Sequence, residues 1–211
     1  MFRLRNKKRM ERYSVKELFI YSDGASFNNG FKDKDKPMYG AFGSVIVKDG
    51  KILHEYKDWY ENITNNQGEL YGFIRAFLQF LKAYKSKEPY HITVVSDSQY
   101  LINGVNLYLE NWKKKDWHTA SGDDVKNVEL WKIIDFLINS EPNITLEFVW
   151  QKGHKGKKVT QEENPNIYFN EYCDSLATEQ IQYAINNGER FFPPDLFENM
   201  IKALMETFNL E

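Results

Sequence analysis

Two aspartates stand where their carboxylates could act on one substrate. Asp23 and Asp97 each follow an apolar run, Leu18 to Ser22 and His91 to Ser96. Runs of this composition are typical of buried strands, and neighbouring parallel strands open their carboxyl ends into one crevice. We therefore expect each strand to end at its aspartate and the two carboxylates to face each other. Because like charges repel, something positive must lie between them.

Two further acids join this pair. The apolar spacing becomes helical from about Asn66 to about Lys85, which places Glu69 in the first turn of a helix, where the helix dipole alone favours an acid. Asp174 lies on a later helix, predicted from Ile167 to Ile185. These motifs contain four carboxylates and no basic residue, which indicates a metal site. Hard oxygen ligands suit Mg²⁺ or Mn²⁺ better than zinc.

The elements that carry these acids predict an α/β fold. Segments 39–47 and 52–60 flank Lys48-Asp49-Gly50-Lys51, a strong hairpin signal, so three antiparallel strands begin the domain. The helix bearing Glu69 then leads to the strand before Asp97, and 144–150 is the last strand. Segments 99–110 and 128–138 have helical spacing. We predict a mixed five-stranded sheet, three antiparallel strands and then two parallel ones, flanked by helices.

Composition limits the class of protein. The chain has 211 residues, 42% hydrophobic and 27% charged, which is ordinary for a globular protein and excludes a mostly disordered chain. No apolar stretch approaches the roughly 20 residues that span a bilayer, and the N-terminus lacks the apolar core of a secretory signal. Cys173 is the single cysteine, so no internal disulfide can form. We expect a cytoplasmic monomer in which Cys173 is a buried packing residue.

The chain divides into three parts by pattern. Residues 1–16 predict a flexible basic arm, residues 17–187 the catalytic domain, and residues 188–211 a C-terminal helical extension. Asp195 and Glu198 have the spacing of a capping box in that extension, and an apolar stripe follows them. Packing back on the domain is the simpler interpretation of this stripe, and docking to a protein partner is the alternative.

Basic residues are clustered although the net charge is −2. Trp112 and Trp117 surround Lys113-Lys114-Lys115. A run of lysines is usually solvated surface. Cations beside flat aromatic rings also suit a phosphate backbone, so we expect both tryptophans at a nucleic-acid contact rather than on a core face.

Six short motifs occur along the chain in a specific order. They are Ser22-Asp23-Gly24, Thr64-Asn65-Asn66-Gln67-Gly68-Glu69-Leu70, Ser96-Asp97-Ser98-Gln99-Tyr100, Asn111-Trp112-Lys113-Lys114-Lys115, Lys152-Gly153-His154, and Asn170-Glu171-Tyr172-Cys173-Asp174-Ser175-Leu176-Ala177. Each motif is modest by itself. Together, from about Leu18 to about Ala177, they resemble a type 1 ribonuclease H of the bacterial form with a basic handle.

The resemblance implies a reaction and its cofactor. Asp23, Glu69, Asp97 and Asp174 would hold two Mg²⁺ ions, with Mn²⁺ as a substitute. The enzyme would hydrolyse the RNA strand of an RNA–DNA hybrid and leave 5′-phosphate and 3′-hydroxyl ends. His154 would assist proton transfer or product departure.

The resemblance also implies substrate contacts. Four amides match positions that contact the minor groove of the hybrid, namely Asn29, Asn65, Asn66 and Gln99. Thr64 matches a contact to a phosphate of the DNA strand. The DNA strand would further be held by Tyr108, Trp112, Lys113, Lys114, Lys115 and Trp117. Amides can bond the 2′-hydroxyl as donor and acceptor, which agrees with recognition of RNA.

The chain departs from the family pattern in two loops. The loop after the first strand is longer and lacks the usual glycine-rich sequence, and 155–169 is longer than the usual linker between the histidine and the last acid. Two other functions stay open at this point. One is a nuclease or strand transferase of the wider superfamily, such as an integrase or transposase core. The other is a non-catalytic nucleic-acid binding module, against which the four acids argue.

Overall fold

The computed structural model describes residues 15–30, 32–85, 88–153 and 158–188, together with Lys202 and Glu206. The predicted basic arm therefore lies outside the described residues, except for Val15 and Lys16, and Lys16 is the first residue of a strand. Of the predicted C-terminal extension, only Gly188, Lys202 and Glu206 are described.

The sheet has the predicted number and directions of strands. Its strands are β1 (Lys16–Phe27), β2 (Tyr39–Lys48), β3 (Lys51–Glu61), β4 (Tyr90–Ser96) and β5 (Ile144–Trp150). The strand order is β3-β2-β1-β4-β5. β2 is antiparallel to β1 and β3, whereas β1, β4 and β5 are parallel. The prediction of three antiparallel strands followed by two parallel ones is confirmed.

The hairpin between β2 and β3 forms where the sequence predicts it. Asp49 and Gly50 have φ angles of 50° and 71°, and both therefore lie in the left-handed region. A two-residue hairpin turn that matches the twist of its strands needs positive φ at both central positions, which Asp-Gly supplies at low cost.

The helices form where the apolar spacing predicts them, with ends shifted by up to four residues. They are α1 (Asn65–Ala83), α2 (Gln99–Asn103), α3 (Leu109–Lys114), α4 (Val128–Asn139) and α5 (Pro165–Asn187), and a π-helical segment (Gly104–Tyr108) joins α2 to α3. The helix predicted over 99–110 thus continues to Lys114, with one π-helical turn in its middle. Such turns accommodate an extra residue in the helical ladder.

The two faces of β1 are both buried. Leu18 and Ile20 belong to the main core with α1 and α4, whereas Tyr21 packs with Phe169 and Cys173 of α5. Cys173 is fully buried, as predicted. Because β1 is covered on both sides, it fixes the position of every element that carries an acid. None of the described helices is long and apolar enough to cross a bilayer.

Candidate active site

Asp23 lies inside β1, not at its end. β1 pairs with β4 as far as Tyr21 and Val95, and it continues to Phe27 along β2, with Asp23 opposite Gly43. The expectation that the strand stops at the aspartate is wrong, because β2 supplies hydrogen-bond partners for four more residues. β4 does end at Ser96, so Asp97 is the first residue after that strand. The register of β1 with β4 places Asp97 at the same level as Asp23.

The structure brings three of the four predicted acids together. Asp23, Glu69 and Asp97 each offer one carboxylate oxygen, and these oxygens lie within 4.8 Å of one another. Asp23 and Glu69 are each 5% exposed, and Asp97 is half-buried. The expected meeting of the two strand aspartates is therefore observed, and the helix contributes the third carboxylate.

Glu69 lies just beyond the first turn of α1, so its predicted place in that turn is wrong. Thr64 caps the helix, its hydroxyl accepting from the Gln67 backbone N–H while the Gln67 side chain accepts from the Thr64 N–H. The helix therefore begins at Asn65, and Glu69 is its fifth residue. A capping box fixes the start of the helix, and the start of the helix determines where the Glu69 side chain projects.

Asp174 occupies the rim of the cluster. It is exposed on α5 and does not belong to the group of three within 4.8 Å. Its charge still raises the pKa of Asp23, Glu69 and Asp97. The fourth predicted acid therefore acts on the other three electrostatically from the solvent side.

Two glycines let the backbone approach the carboxylates. A Cβ on Gly24 would lie 2.8 Å from the Glu69 backbone nitrogen, and a Cβ on Gly153 would lie 2.5 Å from Asp97 Oδ2. Any other residue at either position would displace an acid. These close approaches explain why glycine occupies position 24, after the first aspartate, and position 153, after Lys152.

Burial and mutual repulsion make the cluster electrostatically unfavourable by itself. Burial, followed by the charges of Asp97 and Asp174, raises the pKa of Asp23 to about 8. Burial and then Asp23 raise the pKa of Glu69 well above its usual range, and burial followed by Asp174 raises the pKa of Asp97. Within the described residues, no lysine, arginine or histidine forms an ion pair with these acids.

The donor set fits a divalent cation. Glu69 Oε1 accepts from Asn65 Nδ2 at 3.2 Å, whereas Glu69 Oε2 is buried without a hydrogen-bond partner in the described part of the chain. A buried carboxylate oxygen left without a partner is costly. Three converging carboxylates are the ligands that Mg²⁺ and Mn²⁺ prefer, and a cation would remove both the repulsion and the unpaired oxygen.

Asn170 is a site residue that sequence reasoning did not single out. Its amide Nδ2 donates to Asp23 Oδ2 at 3.5 Å, and its side chain is 3% exposed. Its Oδ1 atom has no partner among the described residues. Asn170 lies four residues before Asp174, so both share one face of α5. That spacing is the signal that could have identified it.

Three of the four predicted minor-groove contacts lie in or beside the first turn of α1, and the fourth, Gln99, is the first residue of α2. Asn29, Asn66 and Gln99 are exposed, and Asn65 is half-buried. The Asn65 backbone N–H donates to Asn29 Oδ1 at 3.4 Å. Asn29 and Asn65 are thus adjacent despite the long loop after β1, and Asn65 itself contacts Glu69. Thr64 uses its side chain for the helix cap.

The handle, residues 108–118, divides into exposed and packed side chains. Tyr108 is 48% exposed, and Lys114 and Lys115 are exposed. Lys113 instead pairs with Asp135 of α4 at 2.7 Å. The expectation that both tryptophans avoid the core is wrong: Trp112 and Trp117 are partly buried and pack against it.

Trp112 is held by neighbouring aromatic rings. Its ring centroid lies 5.2 Å from that of Trp131 and 5.6 Å from that of Tyr108. Such ring pairs stabilise a packed cluster. The contact of Trp112 with Tyr108 therefore links the core to the exposed part of the handle.

His154 lies outside the described residues.

Comparisons with known proteins give one family. The family described as RNase H matches residues 15–182. The Ribonuclease H of Clostridium botulinum is 37% identical over 166 residues, which cover 78% of this chain and 95% of that protein. The Ribonuclease H of Paracidovorax citrulli is 34% identical over 174 residues, which cover 82% of this chain and all of that protein.

Solved structures show the same fold. The solution structure of the PFV RNase H domain has a TM-score of 0.62 at 21% identity, covering 81% of this chain and 97% of that one. LC9-RNase H1, a type 1 RNase H with the type 2 active-site motif, has a TM-score of 0.56 at 22% identity, covering 81% and 74%. Fold, acidic cluster and relatives together define a nuclease with an α/β fold. The chain belongs to the ribonuclease H family.

Proposed function

We propose that the chain cleaves the RNA strand of RNA–DNA hybrids with two Mg²⁺ ions and leaves 5′-phosphate and 3′-hydroxyl ends. The observation that carries this proposal is the cluster of Asp23, Glu69 and Asp97, whose carboxylate oxygens lie within 4.8 Å of one another. Two of these acids are buried and Asp97 is half-buried, and no cationic side chain among the described residues forms an ion pair with them. Relatives support the substrate, because LC11-RNase H1 and the foamy viral protease-reverse transcriptase have structures with RNA/DNA hybrid.

The chain's own residues would provide the site. Asp23, Glu69 and Asp97 would hold the ions, and Asp174 would join them from the rim. Bound Mg²⁺ would activate a water and stabilise the leaving oxygen of the phosphodiester. Asn170 donates to Asp23 and keeps one carboxylate oxygen in a fixed direction. His154 is proposed to move a proton or assist product departure.

The predicted contacts would select the hybrid. The exposed amides of Asn29, Asn66 and Gln99 can bond 2′-hydroxyl groups, which distinguish RNA from DNA. Tyr108, Lys114 and Lys115 are the predicted DNA-strand contacts that are exposed on the handle, and they would bind the DNA strand. Residues 17–187 would form the catalytic domain. A monomeric state, a cytoplasmic location and a partner for the C-terminal extension stay predictions.

The test compares four labelled duplexes or strands of one sequence: RNA–DNA, RNA–RNA, DNA–DNA and single-stranded RNA. Each is incubated with Mg²⁺, with Mn²⁺ and with chelator, using the wild type and Asp97→Asn. We expect metal-dependent cutting of the RNA strand of the hybrid, abolished in Asp97→Asn. End analysis of the products should show 5′-phosphates.

Other results would support the alternatives. Cutting of duplex DNA without preference for the hybrid would favour a nuclease of the integrase or transposase type. Hybrid binding without cutting in any metal would favour a non-catalytic module. Glu129→Gln is a matched control, because Glu129 is an exposed acid at the start of α4, and its removal should leave cleavage unchanged.

A further inference from the structure

The β1–β2 loop, described at residues 28–30 and 32–38, carries three lysines that neither the family motifs nor the acidic cluster explain. They are Lys32, Lys34 and Lys36, and all three are exposed. The loop leaves the sheet at the end of β1, four residues beyond Asp23. It therefore begins at the edge of the sheet where the carboxylates lie.

Asn28 holds this loop in a defined shape. Its φ angle is 55°, a left-handed conformation that asparagine tolerates. Its Nδ2 donates to the backbone oxygens of Asp33 and Lys36, both at 2.7 Å, and its Oδ1 accepts from the Asp33 N–H at 2.7 Å. One side chain thus joins the start of the loop to its middle and end. Loops whose ends are joined by such contacts have a compact backbone.

The loop is also connected to the acidic cluster. Asn29 Oδ1 accepts from the Asn65 N–H at 3.4 Å, and Asn65 Nδ2 donates to Glu69 Oε1 at 3.2 Å. Two hydrogen bonds therefore separate the loop from a buried carboxylate. The start of the loop therefore lies beside the cluster.

The charges of the loop are not equally available. Asp33 pairs with Lys36 at 3.0 Å and also accepts from the Asp35 N–H at 3.2 Å. The Lys36 hydrogen bond lowers the pKa of Asp33, which keeps its carboxylate ionised in that pair. Lys32 and Lys34 form no ion pair within the described residues. Asp35 is exposed and opposes them with one negative charge.

Along the strand order, the loop and the helical run that leads to the handle lie on opposite sides of the cluster. In the strand order β3-β2-β1-β4-β5, the acids meet at β1 and β4, and the loop emerges between β1 and β2. The helical run that leads to the handle packs over β4 and β5, where Asn106 Nδ2 donates to the Phe148 backbone oxygen at 3.0 Å. A duplex that contacts the handle and the cluster would continue toward the loop.

We propose that Lys32 and Lys34 of the Asn28-closed loop bind backbone phosphates of the hybrid on the side of the cluster opposite the handle. This inference rests on the proposed function for the identity of the duplex. The chemistry is that of exposed ammonium groups held beside a path for a polyanion. The protein would then hold the duplex on both sides of the scissile bond.

The experiment measures binding and cleavage with Lys32→Gln/Lys34→Gln. Binding of a fluorescent hybrid is followed by anisotropy in chelator over a series of KCl concentrations, so that it does not depend on cutting. We expect affinity to fall several-fold at low salt. The slope of log affinity against log salt should become shallower by about one for each phosphate that the protein no longer neutralises. In Mg²⁺, KM should rise several-fold and kcat should stay unchanged.

Two further variants separate a local contact from net charge. Lys48→Gln/Lys51→Gln removes the same charge at the β2–β3 hairpin, which lies at the opposite end of β2 from the loop. This double variant should change the affinity for the hybrid little. Asp35→Asn should tighten binding, because it removes the opposing charge beside Lys34. An equal fall in affinity for both lysine pairs, or an unchanged affinity for Lys32→Gln/Lys34→Gln, would overturn the proposal.

The test also distinguishes this proposal from the proposed function. A wild type that binds the hybrid but does not cut it would contradict the nuclease function, and the binding series would still decide the role of the loop. A wild type that cuts the hybrid, with a loop variant that behaves as wild type, would contradict the loop alone. Circular dichroism of each variant checks that the fold is retained.

Discussion

The acidic cluster and the handle are built on opposite physical principles. The cluster gathers like charges in a buried place, and it depends on contacts between β1, α1 and β4 that are distant in sequence. The handle gathers opposite and apolar groups on a helical run that ends at Lys114 and in the turn that follows it. It packs against α4 through Trp112 and Lys113, and Lys114 and Lys115 stay exposed. Substitutions in the cluster should therefore alter chemistry while stabilising the metal-free fold. Substitutions in the handle should affect packing and affinity.

The largest expected effect follows from Glu69→Gln. It removes a buried charge that burial and Asp23 already disfavour, and it keeps the shape of the side chain. Hybrid cleavage should fall by on the order of a hundredfold or more, as when a preorganised electrostatic group is removed. The metal-free protein should unfold at a higher temperature than the wild type, as measured by thermal denaturation in chelator.

A lower melting temperature for Glu69→Gln would contradict the view that the cluster is strained without a cation. Glu129→Gln on the surface of α4 is the control, and its melting temperature should change little.

The second prediction concerns pH. Because the pKa of Asp23 is raised from 3.8 to about 8 in the folded protein, the folded state binds its proton more tightly than the unfolded state. The free energy of unfolding in chelator should therefore fall as pH rises between these two pKa values. Asp23 contributes at most about 1.4 kcal/mol per pH unit to this fall. Denaturant unfolding between pH about 5 and about 8 measures this slope.

Mg²⁺ should reverse the pH trend, because it replaces the proton as the partner of the carboxylates. Asp23→Asn should flatten the slope in chelator. A wild-type stability that rises with pH over the same window would show that the acids are not coupled in this way.

The third prediction concerns Gly104, at the start of the π-helical segment. A Cβ at this position would overlap the Trp131 indole, whose side chain is fully buried. Gly104→Ala should destabilise the protein by about 1–3 kcal/mol, because the core cannot accept the extra volume without moving a large ring. Denaturant unfolding measures the change.

Lys114→Ala on the same helical run is the control for Gly104→Ala, since Lys114 is exposed and its removal should cost less than about 0.5 kcal/mol. Equal stability of the two variants would show that the handle is not anchored through Trp131.

The smallest expected effect belongs to Lys114→Gln/Lys115→Gln. Both lysines are exposed on the handle, so their removal should raise KM for the hybrid a few-fold, leave kcat unchanged and reduce the salt dependence. Lys113→Gln should instead lower stability slightly, because Lys113 is paired with Asp135. Steady-state cleavage at several salt concentrations separates the two cases. A fall in kcat for the double variant would contradict a purely electrostatic role.

Local sequence patterns were enough to predict the sheet and the meeting of its aspartates. Apolar runs, the Asp49-Gly50 turn and the helical spacing after Asn66 are local signals, and they predicted the five strands along the chain and a helix that carries Glu69. Parallel strands align their carboxyl ends, so the proximity of Asp23 and Asp97 followed from strand pairing alone.

The environment of each side chain, in contrast, depends on tertiary packing. β1 continues past Asp23 because β2 pairs with it, Trp112 packs inward because Trp131 is beside it, and Asn170 meets Asp23 across 147 positions of sequence. Burial and contact between distant segments depend on how whole elements pack, which local pattern does not encode. The sequence therefore indicated which groups could do chemistry, and packing determined which of them are buried, paired or free to bind.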